Sequence, residues 1–203
     1  MEPPQEITGV ILAGGQSSRF GSNKALALWR NKFLIQHVSD VLATVFNDML
    51  LSANSTGQYE FLRLPVVLDR FQNMGPLAGI HAALRHSRNP WIFAVGCDMP
   101  AITPDLITGL CNYAKDEFEA VIPWLKSGPE PLCGLYHKTA LAKIELQLAD
   151  GIAQIQELLE KLAVRKVTEA ELQTVSGGLQ VFSNINRARD LKGLKAIVKD
   201  YNP

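Results

Sequence analysis

The chain lacks an excess of charge of either sign: 20 Lys and Arg balance 20 Asp and Glu across 203 residues. No overall field draws it to nucleic acid or to a membrane surface, so any polyanion site must be local. Cysteine is scarce as well. Cys97, Cys111 and Cys133 are odd in number and form no C-x-x-C pair, which argues against a disulfide framework and for free, buried thiols in a reducing compartment. No apolar run approaches the length of a membrane span. The opening residues, Met1-Glu2-Pro3-Pro4-Gln5-Glu6, are acidic and carry neither the basic region nor the apolar core of a signal peptide, so a soluble cytoplasmic protein is expected.

Several catalytic signatures are missing too. Gly21 is followed by Ser22-Asn23-Lys24, which breaks the G-x-x-x-x-G-K-[ST] pattern of a Walker-type ATPase. Gly14, Gly15 and Gly21 do not space as G-x-G-x-x-G, which weakens a dinucleotide-binding reading. There is no G-x-S-x-G elbow, and His37, His81, His86 and His137 form no H-E-x-x-H. A zinc site has no support. Lone histidines of this kind are ordinarily surface residues or satisfied core residues.

What remains is a chain that is 47% apolar, enough for one well-buried domain. Strand-like and helix-like segments alternate along it. Residues 7–12, 49–53, 65–68, 91–97, 120–123 and 132–136 read as strands, and 164–167 and 179–182 as edge strands. Helical spacing covers 33–46, 77–86, 138–148, 152–162 and 190–198. A further helix opens with Thr103 as N-cap, Pro104 at its first position and Asp105 in its first turn. This alternation predicts an α/β fold: a doubly wound, mostly parallel sheet between two helical layers. Ligands in such folds sit beyond the carboxyl ends of the strands.

Four polar features fall at those ends. The loop Leu12-Ala13-Gly14-Gly15-Gln16-Ser17-Ser18-Arg19-Phe20-Gly21-Ser22-Asn23-Lys24 leaves the first strand. Its glycines let backbone N–H groups approach a ligand, and Arg19 and Lys24 can neutralise a polyphosphate. Asp98 follows the strand at 91–97. A carboxylate there needs a positive partner, and Mg²⁺ suits it, since that ion takes one or two carboxylates together with phosphate oxygens and water. A turn before Met99-Pro100 is the simpler role for Asp98, but the glycine loop favours metal binding. Asn54 and Asp69 follow two further strands. Their amide and carboxylate match guanine's N1–H and exocyclic amine, or else make ordinary Asx turns. Gly75-Pro76-Leu77-Ala78-Gly79 is a second glycine loop opening a helix, able to approach a base or phosphate or merely to turn. Asn184 and Asn186 bracket Ile185, and strand alternation puts both amides on one face, suited to substrate or metal contacts or to a plain turn.

In order and spacing, these pieces resemble one family. Leu12-Ala13-Gly14-Gly15 through Arg19, Gly21 and Lys24, then Ser52-Ala53-Asn54, Asp69, Gly75-Pro76-Leu77-Ala78-Gly79, Cys97-Asp98-Met99-Pro100 and Phe182-Ser183-Asn184-Ile185-Asn186 are similar to the molybdenum cofactor guanylyltransferases. The resemblance implies a three-layer, mostly parallel Rossmann-like sheet of the nucleotide-diphospho-sugar transferase type. It implies one domain over residues 1–203, with a nucleotide half at about 7–115 and an acceptor half at about 116–203. The implied reaction is Mg²⁺-dependent transfer of GMP from GTP to the terminal phosphate of molybdopterin, with release of pyrophosphate. Leu12, Ala13, Gly14, Gly15, Lys24, Asn54, Asp69 and Asp98 would contact the nucleotide and Asp98 the metal. Arg19, Lys24 and Asp98 would be the catalytic groups, and Asn184 and Asn186 would face the acceptor substrate. A monomer making transient contacts with other proteins of cofactor assembly is expected.

Two positions depart from the family pattern: Phe20 stands where Met is common, and Arg187-Ala188 where Thr-Pro is common. Three rival readings remain. A CTP-dependent molybdopterin cytidylyltransferase would carry a methyl at the position of Gly14. A sugar-phosphate nucleotidyltransferase would share the loop and the metal Asp but not the segments at 75–79 and 184–186. A silent nucleotide-binding protein would have no need to keep Arg19, Lys24 and Asp98 together.

Overall fold

In the computed structural model, which describes residues 6–14, 23–176 and 179–182, the chain enters through a wholly buried strand, β1 (Ile7–Leu12). A 3-10 turn (Lys24–Leu26) leads into a short hairpin of β2 (Leu28–Trp29) and β3 (Lys32–Phe33). Then come α1 (Leu34–Ala43), β4 (Met49–Ala53), β5 (Val66–Leu68), α2 (Gly75–His86) and β6 (Trp91–Gly96). The second part comprises α3 (Pro104–Cys111), β7 (Ala120–Leu125), β8 (Gly128–Pro129), β9 (Cys133–His137), α4 (Leu141–Ala149), α5 (Ile155–Leu159), β10 (Val164–Thr168) and α6 (Glu169–Ser176).

The main sheet runs in the order β10-β7-β9-β6-β1-β4-β5, with β8 paired to β7. Every pairing along the path is parallel except the two made by β9. Burial explains the composition of the central strands. A strand covered on both faces reads as a continuous apolar run, and β1, β4 and β6 are buried throughout. Strict alternation then divides their side chains between two cores. Ile7, Ile11, Met49, Leu51, Trp91, Phe93 and Val95 pack with Ile35, Val38 and Leu42 of α1 and with Leu106, Ile107 and Leu110 of α3. Val10, Leu12, Leu50, Ile92 and Ala94 point the other way, to Leu77, Ile80 and Leu84 of α2, to Ile144 and Leu148 of α4 and to Leu158 of α5. The result is the three-layer, mostly parallel sheet expected from the sequence.

Several local expectations hold to within a residue or two, and the Thr103 cap is present, its Oγ1 accepting from the Leu106 amide at 3.3 Å. Others need correction. Residues 179–182, expected as an edge strand, form a 3-10 turn in which Val181 and Phe182 are buried in the core shared with Leu172. The helix expected at 152–162 shrinks to α5. Gly151 (φ +78°) ends the preceding helix, and the buried Gln147 amide donates to the carbonyls of Ile152 (3.5 Å) and Gln154 (2.9 Å), holding that stretch out of helix. The helix expected at 190–198 lies outside the described residues. All three cysteines are free. Burial pushes the Cys97 and Cys111 thiols up to about 12, and that of Cys133 higher still. Among the described residues no helix is long and apolar enough to cross a membrane.

Candidate active site

The sheet topology creates a crevice where a ligand can enter. From β1 the chain passes through α1 to β4 on one side, and from β5 it returns through α2 to β6 on the other. The helices that leave β1 and β5 therefore cover opposite faces, and the crevice opens where the strand order reverses, between β1 and β6. The strand ends are tied together there. The Cys97 amide donates to the Leu12 carbonyl at 3.2 Å, and the Ala13 amide to the Ser52 carbonyl at 2.8 Å.

One cluster lies past the ends of β1 and β6. Lys24 Nζ donates to Asp98 Oδ2 at 2.8 Å, with the two side chains 14% and 24% exposed. Lys24 is delivered by a 3-10 turn that Asn23 caps, its Oδ1 accepting from the Ala25 amide at 3.1 Å. The Asn23 amide in turn donates to Gln58 Oε1 (2.7 Å) and to Tyr59 Oη (2.9 Å), so the cation hangs from a braced turn rather than a loose loop. Asp98 folds back over Gly96. A methyl on Gly96 would lie 2.5 Å from Asp98 Oδ1, so that glycine is required for close approach rather than for its backbone angles. Among the described residues no group of three or more His, Cys, Asp or Glu side chains is placed to hold a metal by itself. The lone Asp98 carboxylate fits an ion that takes its remaining ligands from phosphate oxygens and water, as Mg²⁺ does.

A second cluster lies past the ends of β1, β4 and β5. A methyl placed on Gly14 would sit 3.5 Å from Asn54 Oδ1 and 3.6 Å from Asp69 Oδ2, so these two groups flank the glycine. Ser52 Oγ donates to Asp69 Oδ1 at 3.2 Å. Burial pushes the Asp69 carboxyl upward, opposed by the Ser52 bond and by the nearby His81. Asp69 and Asp98 leave strands three steps apart in the sheet. At about 4.8 Å per step that is roughly 14 Å, a span suited to a base at one end and phosphates at the other.

Leu12, Ala13, Gly14, Lys24, Asn54, Asp69 and Asp98 thus share one edge of the sheet. Gly15, Arg19, Asn184 and Asn186 lie outside the described residues. The segment 75–79 resolves into two roles. Gly75 takes φ +62° where the chain enters α2, and Gly79 packs against Ser52 and Leu12. Sequence reasoning missed Asn23, Tyr59 and Gly96, although an Asn beside the loop lysine was a visible capping signal. It also passed over His81. This side chain is wholly buried, bonded through Nε2 to Glu145 Oε1 at 3.0 Å, and its Nδ1 has no hydrogen-bond partner among the described residues.

Fold and site together define a class: doubly wound α/β proteins that hold a nucleotide across the carboxyl ends of adjacent parallel strands. Comparison with known proteins narrows it. The model of the MobA-like NTP transferase domain matches residues 9–168. The molybdenum cofactor guanylyltransferase of Desulfosudis oleivorans is 35% identical over 194 residues, covering 95% of this chain and 96% of that protein. That of Vibrio cholerae is 34% identical over 197 residues, covering 96% and 94%. Among solved structures, the molybdopterin-guanine dinucleotide biosynthesis protein A of Archaeoglobus fulgidus superposes with a TM-score of 0.84 at 29% identity, covering 96% of this chain and 100% of that one. The chain belongs to the MobA-like NTP transferase family.

Proposed function

We propose that this protein transfers GMP from GTP to the terminal phosphate of molybdopterin, forming molybdopterin guanine dinucleotide and pyrophosphate. The observation that carries this reading is the pairing of Asn54 and Asp69 on either side of Gly14, at the same end of the sheet as the Lys24–Asp98 pair. The names carried by the relatives support it. A carboxylate accepts from both guanine donors, N1–H and the exocyclic amine, while the Asn54 amide can donate or accept. Gly14 leaves bare the wall between them.

The reaction is a substitution at the α-phosphorus. The acceptor phosphate is already anionic, so no general base is needed, and catalysis comes from positioning and charge stabilisation. The glycine turn after Leu12 and Ala13 brings backbone close to the phosphates, and Gly15 belongs to the same nucleotide contact. Lys24 and Arg19 offset the charge that builds on the departing pyrophosphate. Asp98 would hold Mg²⁺, which when bound supplies charge neutralisation across the phosphates. Lys24, bonded to Asp98, holds that carboxylate in place. Asn184 and Asn186 serve the acceptor side.

Labelled GTP or CTP, supplied with Mg²⁺ and purified molybdopterin, tests this directly. Label appears in the dinucleotide product from GTP and not from CTP. Preferential incorporation from CTP, or transfer to a sugar phosphate instead, overturns the assignment.

A further inference from the structure

Ser52 stands outside the residues assigned to nucleotide contact, yet it connects them. It is 1% exposed, lies in β4 and faces α2. Its carbonyl accepts the Ala13 amide at 2.8 Å, and its hydroxyl donates to Asp69 Oδ1 at 3.2 Å. One residue thereby links the turn leaving β1 to the carboxylate leaving β5. With Oδ1 engaged, Oδ2 is the oxygen nearer Gly14.

Room for that hydroxyl comes from α2. A methyl on Gly79 would lie 2.6 Å from Ser52 Oγ, closer than real side-chain carbons approach, and 3.2 Å from Leu12 Cδ2. Gly79 lies within α2 and its backbone is not left-handed, so it is the missing side chain, not the backbone, that matters here. Any residue larger than glycine at position 79 displaces the Ser52 hydroxyl or pushes α2 off the sheet. The segment 75–79 thereby reaches Asp69 through Ser52.

We infer that Ser52, seated by Gly79, is the positioning residue that aims the Asp69 carboxylate and so sets the preference for guanine over bases with fewer N–H donors. This rests on the reading of Asp69 as the guanine acceptor. A half-buried carboxylate held at one oxygen presents the other in a fixed direction, and two-point recognition of guanine depends on that direction.

The test compares GTP with inosine triphosphate, which keeps the phosphates and N1–H but lacks the exocyclic amine. Wild type prefers GTP in kcat/KM. Ser52→Ala lowers that preference about tenfold, through a higher KM for GTP, because a hydrogen bond to a charged group is lost at one remove from the ligand. Gly79→Ala lowers it similarly with the hydroxyl still present. In the double variant the added methyl no longer meets a hydroxyl, only the Cβ at position 52 at 3.5 Å and Leu12 Cδ2 at 3.2 Å, so the double variant discriminates no worse than either single one. Calorimetric titration of both nucleotides reports the same ratio if turnover is too low to measure, and thermal melts show whether each variant is folded. Single variants that keep the full preference, or effects that multiply in the double variant, overturn the inference while leaving the guanine assignment standing. A wild type that binds both nucleotides equally shows that the exocyclic amine is not read and overturns the inference, whereas the guanine assignment falls only if CTP replaces GTP.

Discussion

Lys24→Ala separates catalysis from stability. Its amine lies 2.8 Å from Asp98 Oδ2, in a pair whose side chains are 14% and 24% exposed. Without it, water can reach the Asp98 carboxylate. The stability cost therefore lies nearer the surface value of about 1 kcal/mol than the 3–5 kcal/mol of breaking a fully buried pair. For a chain of this size that is a fall in Tm of roughly 2–4 °C. The catalytic cost is of another order. Removing one preorganised donor from the place where negative charge accumulates costs about 2.7–4 kcal/mol, or roughly 100- to 1000-fold in turnover. Lys24→Arg keeps the charge but replaces a point with a planar fork, and recovers only part of the rate. The assay is single-turnover release of labelled pyrophosphate at saturating GTP and acceptor, run well below the Tm of each variant. Turnover of Lys24→Ala within about threefold of wild type would refute the role of this cation, since water cannot substitute for a preorganised charge at such small cost.

Two further perturbations address the base-reading end. Gly14→Ala leaves the melting curve unchanged, because its methyl meets Asn54 and Asp69 at 3.5 and 3.6 Å, ordinary contact distances. It lowers the GTP-to-CTP ratio in kcat/KM by about tenfold or more, the discrimination one methyl in a pocket can supply, and an unchanged ratio would show that the wall at position 14 does not face the base. Asp69→Asn is expected to stabilise the protein at neutral pH while abolishing guanine preference. Burial raises the Asp69 carboxyl, so the stability it contributes is present below its unfolded pKa and is lost as pH rises through the folded value. The Tm advantage of the Asn variant should therefore widen from acid to neutral pH, and a gap that widens on acidification instead would contradict the burial argument.

The central strands were legible because two-sided burial leaves no room for polar residues, so β1, β4 and β6 appear as unbroken apolar runs. The same signal misled at 179–182, where a short apolar run packs beneath a helix instead of joining the sheet. Helix α6 was overlooked although Thr168 and Glu171 form a capping box, the Thr168 amide donating to Glu171 Oε2 at 2.9 Å. That bond, with Arg165 and the Thr168 hydroxyl, lowers the Glu171 carboxyl to about 2. The hairpin of β2 and β3 gave no warning, since Arg30 and Asn31 both take left-handed angles (φ +49° and +64°) without a glycine. Nothing in β9 marks it as the strand that runs against its neighbours.

By itself the sequence determined the alternation of elements, the strand ends at which Gly14, Asn54, Asp69 and Asp98 emerge, and the family to which they belong, because periodicity and punctuation are local properties. Only the tertiary structure decided which ends are neighbours. It put Lys24 on Asp98 across 74 positions, set Asn54 and Asp69 about Gly14, and made Gly79 the seat of Ser52. Those relations depend on strand order and on distances between atoms far apart in the chain, and both arise only when the two cores close on the sheet.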